Sequence, residues 1–327
     1  MTINLKTITR EHFLNNLGPK DKSWHSDYLV MYSSWFNGYV TDPDLMLLPV
    51  DDHLVHRGDG VFDVMRCIKG KIYQMEAHLK RLERSAKAVS LNLPAEYKDI
   101  REIIKYLTIT GGERDCIIRV IISRGPGGFS TDPYECISSQ LYINIICHHR
   151  PPDSDYRKGV SAMTSRIPVK NPFFAVIKSC NYLPNVLMKM EAINAGCKYS
   201  VNIDEDGFIG EGSTENICIV SADGYIKIPG FENTLAGTTA GRIYQLAHNL
   251  INDKSVNGVQ FAKISPKDVL HASEVMMMGT SINLVPVVRF DERIIGKGIP
   301  GPVYLKLSHL LWKDMTENKE LLTEVEI

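Results

Sequence analysis

Apolar residues along the chain fall into two alternating patterns, continuous or period-two runs and helically spaced stripes. Val61-Phe62-Asp63-Val64-Met65-Arg66-Cys67-Ile68 predicts a strand, Lys69-Gly70-Lys71 turns it, and Ile72 to Met75 brings it back as a hairpin. A helix follows from about Glu76 to Val89, with Leu79, Leu82, Ala86 and Val89 on one stripe. Cys116 to Ile122 and Leu141 to Ile146 are rich in Ile and predict two more strands. The loop Arg124-Gly125-Pro126-Gly127-Gly128 between them is too rich in Gly and Pro to be regular structure. The second half alternates similarly. Pro184 to Ala195 predicts a helix and Lys198 to Ile203 an extended segment, then Asp206-Gly207 a turn. Asn216 to Val220 is a strand ended by Asp223-Gly224. Thr239 to Ile251 is an amphipathic helix with Ile243, Leu246, Ala247, Leu250 and Ile251 on one face. Glu274 to Met278 is a strand running into Gly279-Thr280-Ser281.

Between the halves, His148-His149-Arg150-Pro151-Pro152-Asp153-Ser154-Asp155 is polar and bears two prolines. The expected organisation is a smaller N-terminal α/β domain over 1–147, a linker over 148–158 and a larger C-terminal domain over 159–327. The length of 327 residues suits two domains of roughly 150. The fold class is α+β / α/β with antiparallel hairpins. No G-x-G-x-x-G follows a strand and no P-loop motif is present, which disfavours a doubly wound nucleotide-binding fold. Phe13, Leu14 and Leu17 of the first thirty residues are expected to pack on the surface or on a partner.

Composition narrows the class. With 44% hydrophobic and 23% charged residues the chain reads as a soluble globular protein. Lys plus Arg number 37 and Asp plus Glu 38, a net charge of −1 that gives nucleic-acid binding no electrostatic support. No apolar run suits a membrane span, and Lys6, Arg10, Glu11, Lys20 and Asp21 interrupt any signal-peptide core. The seven cysteines, at 67, 116, 136, 147, 180, 197 and 218, form no C-x-x-C, so neither a disulfide framework nor a metal site is expected, and a cytoplasmic location is the simple reading.

Five places carry candidate chemistry. Lys178 lies between the apolar run Phe173 to Ile177 and a helix start, where desolvation would lower its pKa and supply the neutral amine that Schiff-base chemistry needs. Glu211, between Gly210 and Gly212, can direct a carboxylate at a protonated ring nitrogen. Gly237-Thr238-Thr239 opens the amphipathic helix, where free N–H groups and the helix dipole favour phosphate. Gly279-Thr280-Ser281 at a strand end offers a second nest of backbone donors. Arg81 flanks the apolar stripe of its helix and can reach inward to an anion. Singly, each also reads as ordinary structure: a solvated lysine, a turn glutamate, an N-cap, a hairpin turn and an ion-paired arginine. Together they match the needs of pyridoxal 5'-phosphate.

In order and wording, these blocks resemble the fold-type IV pyridoxal-phosphate enzymes. That family includes D-amino-acid transaminase, branched-chain aminotransferase and aminodeoxychorismate lyase. The likeness runs from about Ser33 to Met315 through His56 to Asp63, His78 to Leu82, Lys178 to Asn185, Glu211 to Asn216, Gly237 to Thr239 and Glu274 to Pro286. The wording of Asp51 to Gly58 and of Lys178 to Asn185 is most similar to plant-type D-amino-acid transaminases. The resemblance implies a two-domain homodimer with its active site between the domains, helped by a loop of the partner subunit. It implies that Lys178 carries the cofactor and moves the Cα proton, and that Glu211 keeps the ring nitrogen protonated. Tyr182 would bond the ring hydroxyl, and Arg81, Thr238, Thr239 and Thr280 the phosphate. Phe62 and Val64 would line the substrate pocket, with Ser281 and the 124–128 loop near the substrate. The Arg-x-His pair of the bacterial D-alanine type is absent from Ser123 to Ser130, so Arg124 is the expected substitute as carboxylate ligand. The expected reaction is transfer of an amino group between an amino acid, of D configuration, and a 2-oxo acid by a ping-pong route. An aminodeoxychorismate lyase, to which the Arg-Gly-x-Gly-Gly loop is similar, is the alternative. A branched-chain L-transaminase, suggested by Arg66, comes after it, and a non-catalytic vitamin-B6-binding protein stands outside the enzyme class.

Overall fold

The hairpin at Lys69-Gly70 sets the first sheet. Both residues have positive φ, 52° and 77°, and Ile68 pairs with Lys71, a two-residue turn whose twist matches that of its strands. The structure, a computed structural model, describes residues 7–16 and 23–325. Seven strands make the first sheet, in the order Leu322–Glu324, Lys71–Tyr73, Gly60–Ile68, Cys116–Ser123, Gln140–Cys147, Tyr28–Ser33 and Gly38–Val40, every neighbouring pair antiparallel. The helices Met75–Ala88 and Ile100–Gly111 cover it. Leu79, Leu82 and Ala86 of one, and Ile100, Ile104 and Leu107 of the other, are buried with Val61, Met65, Ile118 and Ile143 of the strands. Each of the larger of these side chains contributes about 1.5–3 kcal/mol of burial free energy.

The second sheet is mixed. Its order is Gly258–Phe261, Tyr225–Ile228, Asn216–Val220, Glu274–Gly279, Asn283–Phe290, Val160–Thr164, Tyr199–Ile203 and Ile209–Gly212, with Arg293–Ile294 paired to Asn283–Phe290. Glu274–Gly279 is buried on both faces. Met276 and Met278 pack with the helices Thr238–Asn252 and Pro302–Glu317, whereas Val275 and Met277 join a second cluster with Val201, Ile217 and Val285. This explains why the strand reads as a continuous apolar run rather than an alternation. At its start, Glu274 reaches the first turn of Pro302–Glu317, its two carboxylate oxygens accepting from Val303 N (2.9 Å) and Tyr304 N (2.7 Å).

The expected elements are present with ends moved by a residue or two, as for Met75–Ala88, Leu183–Asn194 and Thr238–Asn252. The pattern reading named neither the helices Ile100–Gly111 and Pro302–Glu317 nor the strands Tyr28–Ser33, Val160–Thr164 and Asn283–Phe290, and two further features differ from it. Residues 153–158 of the expected linker form the short helix Asp153–Lys158 after Pro152. The strand Leu322–Glu324, from the part assigned to the C-terminal domain, pairs with Lys71–Tyr73 and so belongs to the first sheet. Three residues are too few to show a period, so only the pairing reveals it. Phe13 and Leu14 are exposed on the helix Arg10–Asn16, and Leu17 lies outside the described residues. Among the described residues, no helix is long and apolar enough to cross a membrane.

Candidate active site

Strand Gly60–Ile68 has Cys116–Ser123 on one side and, near its start, an open edge on the other. Residues 178–180 fill that edge: Phe62 N donates to Lys178 O (3.0 Å), and Cys180 N donates to Gly60 O (2.8 Å). Lys178, a residue of the second half, is thereby held against the first sheet. Its side chain projects into a cavity of about 470 Å³ lined from both halves.

One wall comes from the first sheet: Phe62, Val64, Ile117, Arg119, Ile121 and Ile146, with Arg81 from the helix beside it. The opposite wall holds Tyr182, Thr214, Asn216 and Leu235, then Gly237, Thr238 and Thr239 at a helix start and Gly279, Thr280 and Ser281 at a strand turn. Phe62, Val64, Arg81, Lys178, Tyr182, Thr238, Thr239, Thr280 and Ser281 therefore surround one space. Lys178 Nζ donates to Tyr182 Oη (3.3 Å) and lies 4.6 Å from the centre of the Phe62 ring, which meets Tyr182 edge-on. Burial, and then the positive charge of Arg81, bring the Lys178 pKa down to about 8. Such an amine is neutral in an appreciable fraction near neutral pH, as a nucleophile and proton acceptor must be. Burial also pushes the Tyr182 hydroxyl up.

Glu211 stands behind Leu235, Oε2 accepting from Leu235 N (3.1 Å) and its own amide donating to Asn202 Oδ1 (2.8 Å). Burial raises its pKa to about 7, with the Leu235 amide, Lys170 and Lys178 opposing. A carboxyl poised there ionises once a cation approaches it. The helix Thr238–Asn252 begins at Gly237 with no side chain bonded to its first turn, so its N–H groups are free to take an anion from the cavity. A Cβ on Gly237 would lie 1.9 Å from Asn216 Oδ1, so the backbone approach there requires glycine. An amine, a carboxyl, an uncapped helix start, an arginine and a cavity of this size fit pyridoxal phosphate.

Arg81 is held in place at the cavity wall. Nε and Nη2 donate to the two oxygens of Asp63 (both 2.8 Å), and Nη1 donates to Ala236 O (3.2 Å) beside the helix start. Burial alone would raise the Asp63 pKa, but Arg81 and His78 outweigh it and hold the carboxyl far below the usual range.

Arg124 does not join this site. Nε and Nη2 donate to the carboxylate of Asp59 (both 3.0 Å), and Nη1 and Nη2 to the carbonyls of Ser90 (2.8 Å) and Val89 (3.0 Å). These bonds tie the 124–128 loop to the end of the helix Met75–Ala88 and turn the guanidinium away from the cavity lining. Arg119, not singled out by motif, lines the cavity instead, with its guanidinium 6.0 Å from the centre of the Phe62 ring. Among the described residues its side chain makes no hydrogen bond or ion pair. The signal for it was a lone charge in the apolar run Cys116 to Ile122, whereas Asp63 shares its strand with Arg66.

Residues 60–290 match the model of the family described as amino-transferase class IV. A chloroplastic D-amino-acid transaminase of Arabidopsis thaliana is 39% identical over 88% of this chain and 77% of its own length. A putative branched-chain-amino-acid aminotransferase of Methanocaldococcus jannaschii is 30% identical over 84% of this chain and 93% of its own. Among solved structures, a T.th. branched-chain amino acid aminotransferase complexed with N-(5'-phosphopyridoxyl)-L-glutamate superposes with a TM-score of 0.82 at 28% identity, covering 91% of this chain and 99% of that one. The protein belongs to the class IV aminotransferases, the pyridoxal-phosphate enzymes its fold and cavity suggest.

Proposed function

We propose that this aminotransferase moves an amino group between a D-amino acid and a 2-oxo acid, with Lys178 as its catalytic residue. The observation that carries the reading is the Lys178 amine, buried, with its pKa brought down to about 8, sharing one cavity with the uncapped helix start. Bound pyridoxal phosphate supplies the electron sink that lets a substrate Cα–H bond break. The chain's residues do the rest. Lys178 Nζ holds the cofactor and then moves the Cα proton. Glu211 holds a proton on the ring nitrogen, and Tyr182 Oη bonds the ring hydroxyl. Arg81 Nη1 and the backbone N–H groups of Thr238, Thr239 and Thr280 bind the phosphate. Phe62 and Val64 exclude water beside the reacting carbon, and Ser281 borders the substrate. Arg119 takes the substrate carboxylate, because it is the cavity's arginine without a carboxylate of its own among the described residues. The D configuration is supported by the likeness to the chloroplastic transaminase. A homodimer is supported by exposed Phe173, Phe174, Leu183, Val186, Met190 and Ile193 around the lysine segment.

The test is a half-reaction. Enzyme loaded with cofactor is mixed with D-alanine, D-glutamate, L-leucine or L-glutamate, without acceptor, and the visible cofactor band is followed. Loss of the band with D-donors alone is expected. Loss with L-donors alone overturns the D assignment, and no response to any donor overturns the transaminase reading for these substrates.

A further inference from the structure

His78 stands between a buried carboxylate and the helix start. Its Nδ1 is 2.7 Å from Asp63 Oδ1 and its Nε2 is 3.3 Å from Thr238 Oγ1. Asp63 also accepts from Val64 N (2.7 Å) and from the Arg81 fork, so it is a fully bonded, ionised acceptor. The hydrogen between Asp63 and His78 therefore belongs to Nδ1, and in the neutral ring Nε2 is a lone pair. The hydrogen in the remaining contact is then the Thr238 hydroxyl's own. In the free protein this hydroxyl donates to His78, away from the cavity that Thr238 lines. An anion at the helix start meets its lone pairs, which repel it.

A proton on Nε2 reverses the contact. Nε2–H then donates to Thr238 Oγ1, and the hydroxyl hydrogen is free to turn to the anion. The charges facing the ring favour this change only when an anion is present. Asp63 faces it from its strand, Arg81 from its own helix, Lys178 from the neighbouring segment and Arg66 across a small crevice also lined by Thr239 and Thr280. Burial, Arg81 and Lys178 keep the ring neutral against the pull of Asp63, and a phosphate dianion beside Thr238 offsets those cations.

We propose that Asp63, His78 and Thr238 form a proton relay that takes up one proton from solvent when a phosphate dianion enters the cradle, His78 Nε2 holding the proton and the Thr238 hydroxyl turning from His78 to the anion. No covalent bond other than that of the transferred proton is made or broken. His78 and Asp63 are positioning residues here, acting on the phosphate through Thr238. The proposal rests on the reading of the helix start as the cofactor's phosphate site.

Pyridoxine 5'-phosphate tests it, because this ester has no aldehyde to react with Lys178. Cofactor-free protein with isotope-labelled histidine ring nitrogens is titrated with the ester slightly above neutral pH. Nitrogen–proton correlation spectra report the His78 tautomer, assigned by its loss in His78→Gln. The expected result is a neutral Nδ1–H ring in the free protein and a doubly protonated ring in the complex. Thr238→Val should bind the ester roughly tenfold more weakly, as for one lost charge-assisted hydrogen bond, and its His78 should stay neutral. An ester that binds while His78 stays neutral overturns the relay and leaves the cofactor site standing. Equal protonation in Thr238→Val also overturns it. An ester that does not bind at all overturns the cofactor-site reading and the relay with it.

Discussion

The amide of Phe62 donates to the carbonyl of Lys178 at 3.0 Å, joining the wall of the cavity and the segment that carries its amine through the main chain. The lysine's place is set by strand pairing with the first sheet as well as by its own chain segment. Lys178→Ala should keep the fold, because the pairing is main-chain, while the overall transamination rate falls by about three orders of magnitude or more, a general acid–base contribution with the covalent attachment lost besides. Steady-state assays and circular dichroism of the variant check both halves.

Buried Lys178 and half-buried Glu211 give the cofactor-free protein opposite pH dependences. Lys178 has a folded-state pKa near 8 against 10.5 in the open chain, so between those values the unfolded protein binds more protons and stability rises with pH. Glu211 has a folded-state pKa near 7 against 4.5, so across that window the folded protein binds more protons and stability falls as pH rises. Each slope is at most about 1.4 kcal/mol per pH unit. Thermal melts should show the alkaline rise flattened in Lys178→Met and the acidic fall flattened in Glu211→Gln. Slopes identical to the parent protein's would contradict the assignments.

The two arginines should separate cleanly. Arg119→Gln should raise the KM for the amino donor about tenfold to a hundredfold, the worth of one charge-assisted contact of about 1.5–3 kcal/mol, with little change in melting temperature. Arg124→Gln should leave KM alone and lower stability by about 1–3 kcal/mol through lost bonds to Asp59, Val89 and Ser90. Reversed effects would return Arg124 to the substrate.

Glycines of the cavity should differ in tolerance. Gly237→Ala sets a Cβ 1.9 Å from Asn216 Oδ1, whose amide nitrogen holds Leu235 O (3.1 Å), so cofactor affinity should fall about tenfold or more. Gly279→Ala meets nothing nearer than 3.6 Å and should bind cofactor normally. Equilibrium dialysis of the two variants against pyridoxal phosphate makes the comparison.

Glu274→Ala removes both acceptors from the first turn of Pro302–Glu317, where Gly301 provides no side-chain cap. A loss of about 2 kcal/mol is expected in denaturant unfolding, with less for Glu274→Gln, which keeps one acceptor oxygen.

The periodic elements were legible because their residues answer to local rules. The helix over Leu79, Leu82 and Ala86 buries that same stripe, and Lys69-Gly70 turns the chain as its glycine suggests. The candidate site residues were picked out by motif wording, since a lysine or glutamate alone gives no sign of its burial. Arg124 misled because a loop arginine beside glycines looks free in sequence, whereas Asp59 lies sixty-five positions away in the chain and only folding brings the two together. The His78–Thr238 contact spans 160 positions and has no local signature at all.

The return of Leu322–Glu324 to the first sheet orders events during synthesis. The strand that completes the edge beside Lys71–Tyr73 leaves the ribosome only after every strand of the second sheet has been made. Until then the hairpin carries a bare edge on a nascent chain, the kind of surface that pairs with the wrong partner. The first sheet is therefore begun before the second and finished only after it.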